Sequence, residues 1–329
     1  MNPVRVGWIG CGLHANEMLL PQLVRHDVRL TAICDVDAER LGRTAARYGV
    51  EHATRDWREL LGRSDIDAVG IAAGPAAHHE IGLAALARGL PVFMEKPPAA
   101  TAAQAQELAE ASSRAGRPVV LGFMKRYSTA NRIATNVILS GEFGQPASFL
   151  GQYMTAPTYF EKDPDYTGFY LHHCVHYLDL VPHLMGPVID LRTRRHELAP
   201  GKLLLHVDFR FDSGGIGTLV MGTHQSRGTP MEWWQVMADH RRVEVRNVHE
   251  VRYYRAPPFK VDRAEATLAE AEDTLLWEPN LTVAANEDHK GYHALLGDFL
   301  KLVHGQPATP PLAADGARAM ALLEKMVSD

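Results

Sequence analysis

Cysteine, net positive charge and long apolar runs are the three things this sequence has least of. Its 329 residues include only three cysteines, Cys11, Cys34 and Cys174, too few and too scattered for a disulfide framework. Reduced thiols inside apolar runs behave as small core residues, which fits a reducing compartment. The formal net charge is −5, so no global basic field gathers nucleic acid or anionic lipid. The short arginine-rich stretches RTRRH (192–196) and HRRVEVR (240–246) read as solvated faces. No apolar run approaches ~18 residues, and no secretion-signal pattern opens the chain. The expectation is a cytoplasmic protein that binds neither membrane nor nucleic acid. Internal repeats and low-complexity tracts are missing too, and the length favours two domains.

What is present first is an alternation of strands and helices. VRVGWI (4–9), VRLTAIC (28–34), AVGIAA (68–73), VFMEK (92–96) and PVVLGF (118–123) read as strands. Between them lie helical stretches. One is DAERLGRTAARYG, closed by Gly49; another is TAAQAQELAEASSRAG, with Thr101 and Gln104 at capping-box spacing. Pro21 falls inside the first helical pattern and predicts a kink or restart there. Strand–helix alternation of this kind gives βαβ units and a doubly wound parallel sheet, here over residues 1–123. After Phe123 the texture changes. Strand-like pieces at 146–154, 188–197, 202–211, 216–224, 233–239, 242–247 and 250–255 follow with few helices between them. They predict an α+β domain over 124–329 with an antiparallel or mixed sheet, and helices at about 128–140 and 168–186. Two amphipathic helices end the chain.

The turn after the first strand, GCGLHA, places Gly10, Gly12 and Ala15 in G-x-G-x-x-(G/A) spacing. Gly10 allows a tight turn, Gly12 lets a pyrophosphate approach the backbone, and a small residue at 15 lets helix and strand pack closely. The free N–H groups of the helix start bind phosphate. An acid, Asp35, ends the second strand and suits a ribose 2′-OH while repelling a 2′-phosphate. Val36 follows, with no arginine directly beside it. The cofactor expected is NAD rather than NADP. A competing reading makes Asp35 the N-cap of the next helix.

VFMEKPPA puts Glu95, Lys96 and Pro97 at the carboxyl end of a buried parallel strand, where such domains bind ligands. A lysine ammonium there can stabilise a developing alkoxide. Together with GxGxxA, Asp35 and a later His-x-x-Asp-Leu, this run resembles the Gfo/Idh/MocA oxidoreductase family over nearly the whole chain. AAGPAAHHE (72–80), GFMKRY (122–127), GEFGQP (141–146) and DSGGIGTL (212–219) are similar to further family segments.

The resemblance implies an N-terminal Rossmann domain and a C-terminal domain with a large open sheet through which dimers or tetramers form. It implies hydride transfer between a nicotinamide and a sugar, cyclitol or related polyol. It also implies cofactor contacts from Gly10, Gly12, Leu13, His14, Ala15, Asp35, Ala73, Gly74, His78, Glu95 and Lys96, and a cis bond before Pro97. Gly74 stands where the family pattern has a proline. The last helix is expected to dock back on the first domain.

The stretch YLHHCVHYLDL (170–180) holds three histidines. On a helix, His172, His176, Asp179 and His183 would share one stripe. Three readings stay open: a metal site built on His172 and His176, a structural stripe at a domain boundary, and an acid/base centre. The resemblance favours the last and makes His176 the base that takes the hydroxyl proton. His172 occupies the family's carboxylate position as a substrate contact or proton relay, and Asp179 orients or packs. No metal is expected. Lys125, Arg126 and Tyr153 are candidate substrate contacts, with Tyr159, Phe160, Tyr166 and Tyr170 around the same loop. Trp233 and Trp234, on one strand, face opposite sides. Rival functions are a reductase of another carbonyl or imine, and a non-catalytic nucleotide-binding regulator.

Overall fold

The computed structural model describes residues 2–157, 162–225, 231–255, 274–278 and 290–329. They form two compact units, Met1–Met124 with Gly291–Glu324, and Lys125–Lys290 with Lys325–Asp329.

The first unit carries a six-stranded parallel sheet in the order β3-β2-β1-β4-β5-β6. Its strands are β1 (Val4–Ile9), β2 (Val28–Cys34), β3 (His52–Thr54), β4 (Ala68–Ile71), β5 (Val92–Met94) and β6 (Val119–Leu121). Every residue of β4, β5 and β6 is buried, as expected for strands covered on both faces. This is the doubly wound sheet read from the sequence, with the strand order reversing at β1/β4. The short, polar edge strand β3 carries no such apolar signal and escaped the sequence reading.

The helix after β1 widens into a π-turn at Ala15–Leu19 before α1 (Leu20–Leu23), with Pro21 in the first turn of α1. The break expected at Pro21 takes this form, since proline cannot donate the N–H that a continuous helix needs there. The other helices are α2 (Ala38–Tyr48), α3 (Trp57–Leu61), α4 (Pro75–Ala87) and α5 (Ala102–Ala115). Asp37 caps α2 through Glu39 and Arg40 N–H, and left-handed Gly49 ends it. Thr101 caps α5 by accepting from Gln104 N–H at 3.2 Å.

The second unit holds an eight-stranded sheet, β14-β13-β12-β11-β7-β10-β9-β8. The strands are β7 (Ser148–Met154), β8 (Val188–Ala199), β9 (Lys202–Phe211), β10 (Ile216–Gly222), β11 (Met231–Ala238), β12 (Arg241–Arg246), β13 (Glu250–Tyr254) and β14 (Thr274–Trp277). Neighbours are antiparallel except β7 and β10, which run parallel, so the sheet is mixed. The helices are α6 (Thr129–Ile138), α7 (Thr167–Phe169) and α8 (Val175–Met185). Along β9, Leu203, Leu205, Val207, Phe209 and Phe211 are buried in strict alternation. Trp234 is fully buried and donates from Nε1 to Asn131 Oδ1 of α6 at 3.1 Å.

Two helices follow, α9 (Tyr292–Val303) and α10 (Ala313–Ser328). Residues 291–324 belong to the first unit, where the Pro311 carbonyl accepts Leu121 N–H at 2.8 Å and covers the β6 edge. Among the described residues, no helix is long and apolar enough to cross a membrane.

Candidate active site

In the first unit, β1, β2, β4 and β5 deliver the polar residues that follow them to one end of the sheet, at the β1/β4 switch point where open α/β sheets bind ligands. Gly10 has φ +97°, and a Cβ there would run into the Ala72 carbonyl. Only glycine fits on both counts. Gly12 is glycine for another reason. A Cβ at this position would meet nothing within 4 Å, so the missing side chain leaves room for something that is not the chain itself. Leu13 beside it is 74% exposed, whereas Ala15 is buried.

Asp35 is buried and fixes this turn. Its Oδ2 accepts Cys11 N–H at 2.6 Å and its Oδ1 accepts Asp37 N–H at 2.8 Å. The α2 cap is Asp37, so the competing reading of Asp35 as that cap does not hold. Each carboxylate oxygen retains acceptor capacity for a hydroxyl. Asn16, which the sequence reading passed over, donates to the Cys11 carbonyl at 2.8 Å and to Thr44 Oγ1 at 3.0 Å. A cavity of about 650 Å³ opens beside Gly12, lined also by Arg40, Arg43 and Arg47 of α2. Those arginines were missed because they lie one and more turns beyond Val36. Arg40 pairs with Asp37 and Arg43 with Glu39. Cys11 and Cys34 are buried thiols, both pushed up to about 12 by burial and then by Asp35. They stay protonated and pack as core. An open cradle at Gly12, a buried acid at the end of β2 and a helix start at the same turn fit a dinucleotide.

After β5 the chain turns through Glu95 and Lys96. Glu95 N–H bonds the Ile71 carbonyl at 2.9 Å, and the buried Glu95 carboxylate accepts Lys96 N–H at 3.2 Å. A side chain on Gly122 would collide with that carboxylate. His14 Nε2 lies 3.5 Å from Glu95 Oε1 and 3.4 Å from Tyr292 OH of α9. The Lys96–Pro97 bond is cis, and Lys96 is half-buried. His78 of α4 is buried, with Nε2 accepting Ala73 N–H at 3.0 Å and Nδ1 2.8 Å from the Pro97 carbonyl. Burial holds its pKa below the usual histidine value. Gly74 precedes α4 as its N-cap, and the proline of this turn is Pro75, one residue later.

In the second unit the predicted helix at 168–186 forms, with a π-turn inside it. Thr167–Phe169 is followed by a π-turn over Tyr170–Cys174 and then by α8. Along it His172 is exposed, His176 and Asp179 are buried, and His183 lies between. Asp179 is held by Arg126 through both oxygens, with Nε donating to Oδ2 at 2.7 Å. Lys125 Nζ is 2.6 Å from Glu232 Oε1 and 5.0 and 5.4 Å from the Tyr177 and Tyr153 ring centres. Tyr153 OH is 2.7 Å from His173 Nδ1. Lys125, Arg126 and Tyr153 therefore each have a partner within the unit.

Glu232 faces Tyr153 across the β7–β11 pairing. Strand pairing alone brings it here, and no local sequence signal pointed to it. Burial and Glu232 hold the Tyr177 hydroxyl well above its usual pKa. Tyr166 donates from its OH to Glu197 at 2.6 Å, and Arg195 donates to Tyr170 OH at 3.1 Å. Tyr159 and Phe160 lie outside the described residues. Among the described residues, no group of three or more His, Cys, Asp or Glu side chains could hold a metal ion.

An oxidoreductase family with an NAD-binding Rossmann fold, Gfo/Idh/MocA, matches residues 4–123. Inositol 2-dehydrogenase from Salmonella paratyphi B is 35% identical over 159 residues, 47% of this chain and 47% of that protein. Over residues 4–123 this chain is similar to the Gfo/Idh/MocA oxidoreductases. Its match spans about half the length of the curated family members it resembles. Similarity of fold extends further. A dehydrogenase from Chromobacterium violaceum superposes with a TM-score of 0.87 at 23% identity, covering 100% of this chain and 95% of that one. A levoglucosan dehydrogenase, solved with NADH and levoglucosan, gives 0.80 at 19% identity, covering 99% and 96%. These two likenesses establish a shared fold.

Proposed function

We propose that the protein is an NAD-dependent dehydrogenase of CH–OH groups, acting on a sugar, cyclitol or related polyol. The observation that carries the reading is the Gly10–Gly12 turn, with a cradle left open at Gly12 and braced by the buried Asp35. The match of residues 4–123 to an NAD-binding oxidoreductase family and the similarity to an inositol dehydrogenase support the substrate class. The nicotinamide, when bound, supplies the hydride acceptor or donor.

The chain's own residues supply the rest. Backbone N–H groups after Gly12 bind the pyrophosphate, and the Asp35 carboxylate accepts from a ribose hydroxyl. Leu13, His14, Ala73 and Glu95 of the same unit are the further cofactor contacts in this reading. Lys96 holds its ammonium beside the reacting oxygen and stabilises alkoxide character as the hydroxyl proton leaves. His176 takes that proton, and a neutral imidazole is the form able to do so. His172 contacts substrate or relays the proton outward, in keeping with its exposure.

Asp35 favours NAD over NADP by repelling a 2′-phosphate. The exposed face of the eight-stranded sheet, with Leu150 and Ile216 at its surface, supports assembly into a homodimer or tetramer, which light scattering would read. The enzymatic reading is tested by incubating the protein with NAD and a panel of sugars and cyclitols, and measuring NADH appearance. Turnover of at least one polyol that is lost in His176→Ala is expected. Cofactor binding without turnover of any polyol would favour the regulator.

A further inference from the structure

Nothing exposed at His78 can touch a ligand, since the residue is 1% exposed and both ring nitrogens are already engaged. Its two bonds run to two different loops of the ligand-binding end. One is the loop after β4, which starts with Ala72, the residue packed against Gly10. The other is the loop after β5, which carries Lys96. Because Ala73 N–H can only donate, Nε2 must be the unprotonated nitrogen, and the ring hydrogen sits on Nδ1 and donates to the Pro97 carbonyl. Burial disfavours the charged ring and keeps it neutral. A protonated ring would point a hydrogen from Nε2 at Ala73 N–H and break the first link.

We propose that His78 is a positioning residue, a neutral, single-tautomer brace that couples the cofactor-side loop at Ala73 to the Lys96–Pro97 turn. This rests on the dehydrogenase reading for what the turn does, but not for the brace itself. The two links can be cut separately. Asparagine ends its side chain at the level of Nδ1 and can still donate to Pro97, while it cannot reach Ala73. Glutamine places its carbonyl at the level of Nε2 and can still accept from Ala73, while the Pro97 link is lost. A released Ala73 loop weakens cofactor binding; a released Lys96 turn slows chemistry, since small misplacements of a reacting group cost rate steeply.

The test is NADH titration by fluorescence, together with kcat on the best polyol, for His78→Asn and His78→Gln. Asn is expected to raise the Kd for NADH about tenfold with kcat within about threefold. Gln is expected to lower kcat about tenfold with the Kd within about threefold. Parallel losses in both variants, or no change in either, overturn the brace. If the unaltered protein oxidises no polyol, the dehydrogenase reading fails. The NADH titration then decides alone: Asn must weaken binding and Gln must not, and any other pattern overturns the proposal.

Discussion

Gly10 and Gly12 are two residues apart, and their glycines answer to different constraints. Gly10 is required by the chain's own geometry: left-handed backbone and the Ala72 carbonyl where a Cβ would go. Gly12 is required by nothing in the chain. Gly10→Ala should therefore lower both thermal stability and NADH affinity. Gly12→Ala should leave the melting temperature near that of the unaltered protein and still weaken NADH binding about tenfold or more, read by fluorescence titration. The spacing of both glycines and the acid at Asp35 were legible in the sequence because each depends on neighbours a few residues away. The second partner of Asp35, Cys11 N–H, was not legible, because it depends on how two strand ends lie side by side. The arginines of α2 were missed for a related reason: a helix brings residues a turn away back toward the strand end.

At the level of elements, the histidine-rich segment shows what periodicity leaves out. A π-turn over Tyr170–Cys174 lies inside the expected helix, and along that helix an exposed His172 is followed by a buried His176. Nothing in the local residue types announces the π-turn. Asp179 was expected to orient or pack, and it meets Arg126, which follows β6. The pair is mostly buried. Removing one charge leaves the other unpaired, which costs about 3–5 kcal/mol. Asp179→Asn should lower stability by that order in denaturant unfolding. A loss within experimental error would show the pair to be screened. Strand recognition followed the same rule. Buried strands such as β4 and β5 were read from their apolar runs, while the short polar edge strand β3 gave no such signal and the four-residue β14 was too short to stand out.

For the whole molecule, two depressed histidines link stability to pH. His78 is buried, and His26 stacks on His293 with ring centres 4.0 Å apart; burial is the first cause of the lowered pKa in both. Below the ordinary histidine value of about 6.5, the unfolded chain takes up protons that the folded chain refuses. Their contribution is thus fully present above that pH and is lost as the solution is acidified toward the folded-state values. The melting temperature should fall between about pH 7 and about pH 5, and His26→Asn should flatten part of that slope. The division into a parallel-sheet unit and a mixed-sheet unit followed from the change in sequence texture after Phe123. The grouping of residues 291–324 with the first unit rests on long-range contacts such as Leu121 with Pro311, which no local pattern encodes; only the family resemblance pointed the last helix there.

The central claim is hydride transfer from a carbinol carbon, and it can be followed atom by atom. The protein is incubated with NAD and a polyol deuterated at its carbinol carbons, and the NADH formed is analysed by mass spectrometry. One deuterium per NADH, with formation strongly slowed in Lys96→Met, is the predicted result. NADH without deuterium, or no NADH from any polyol while NAD still binds, would contradict it.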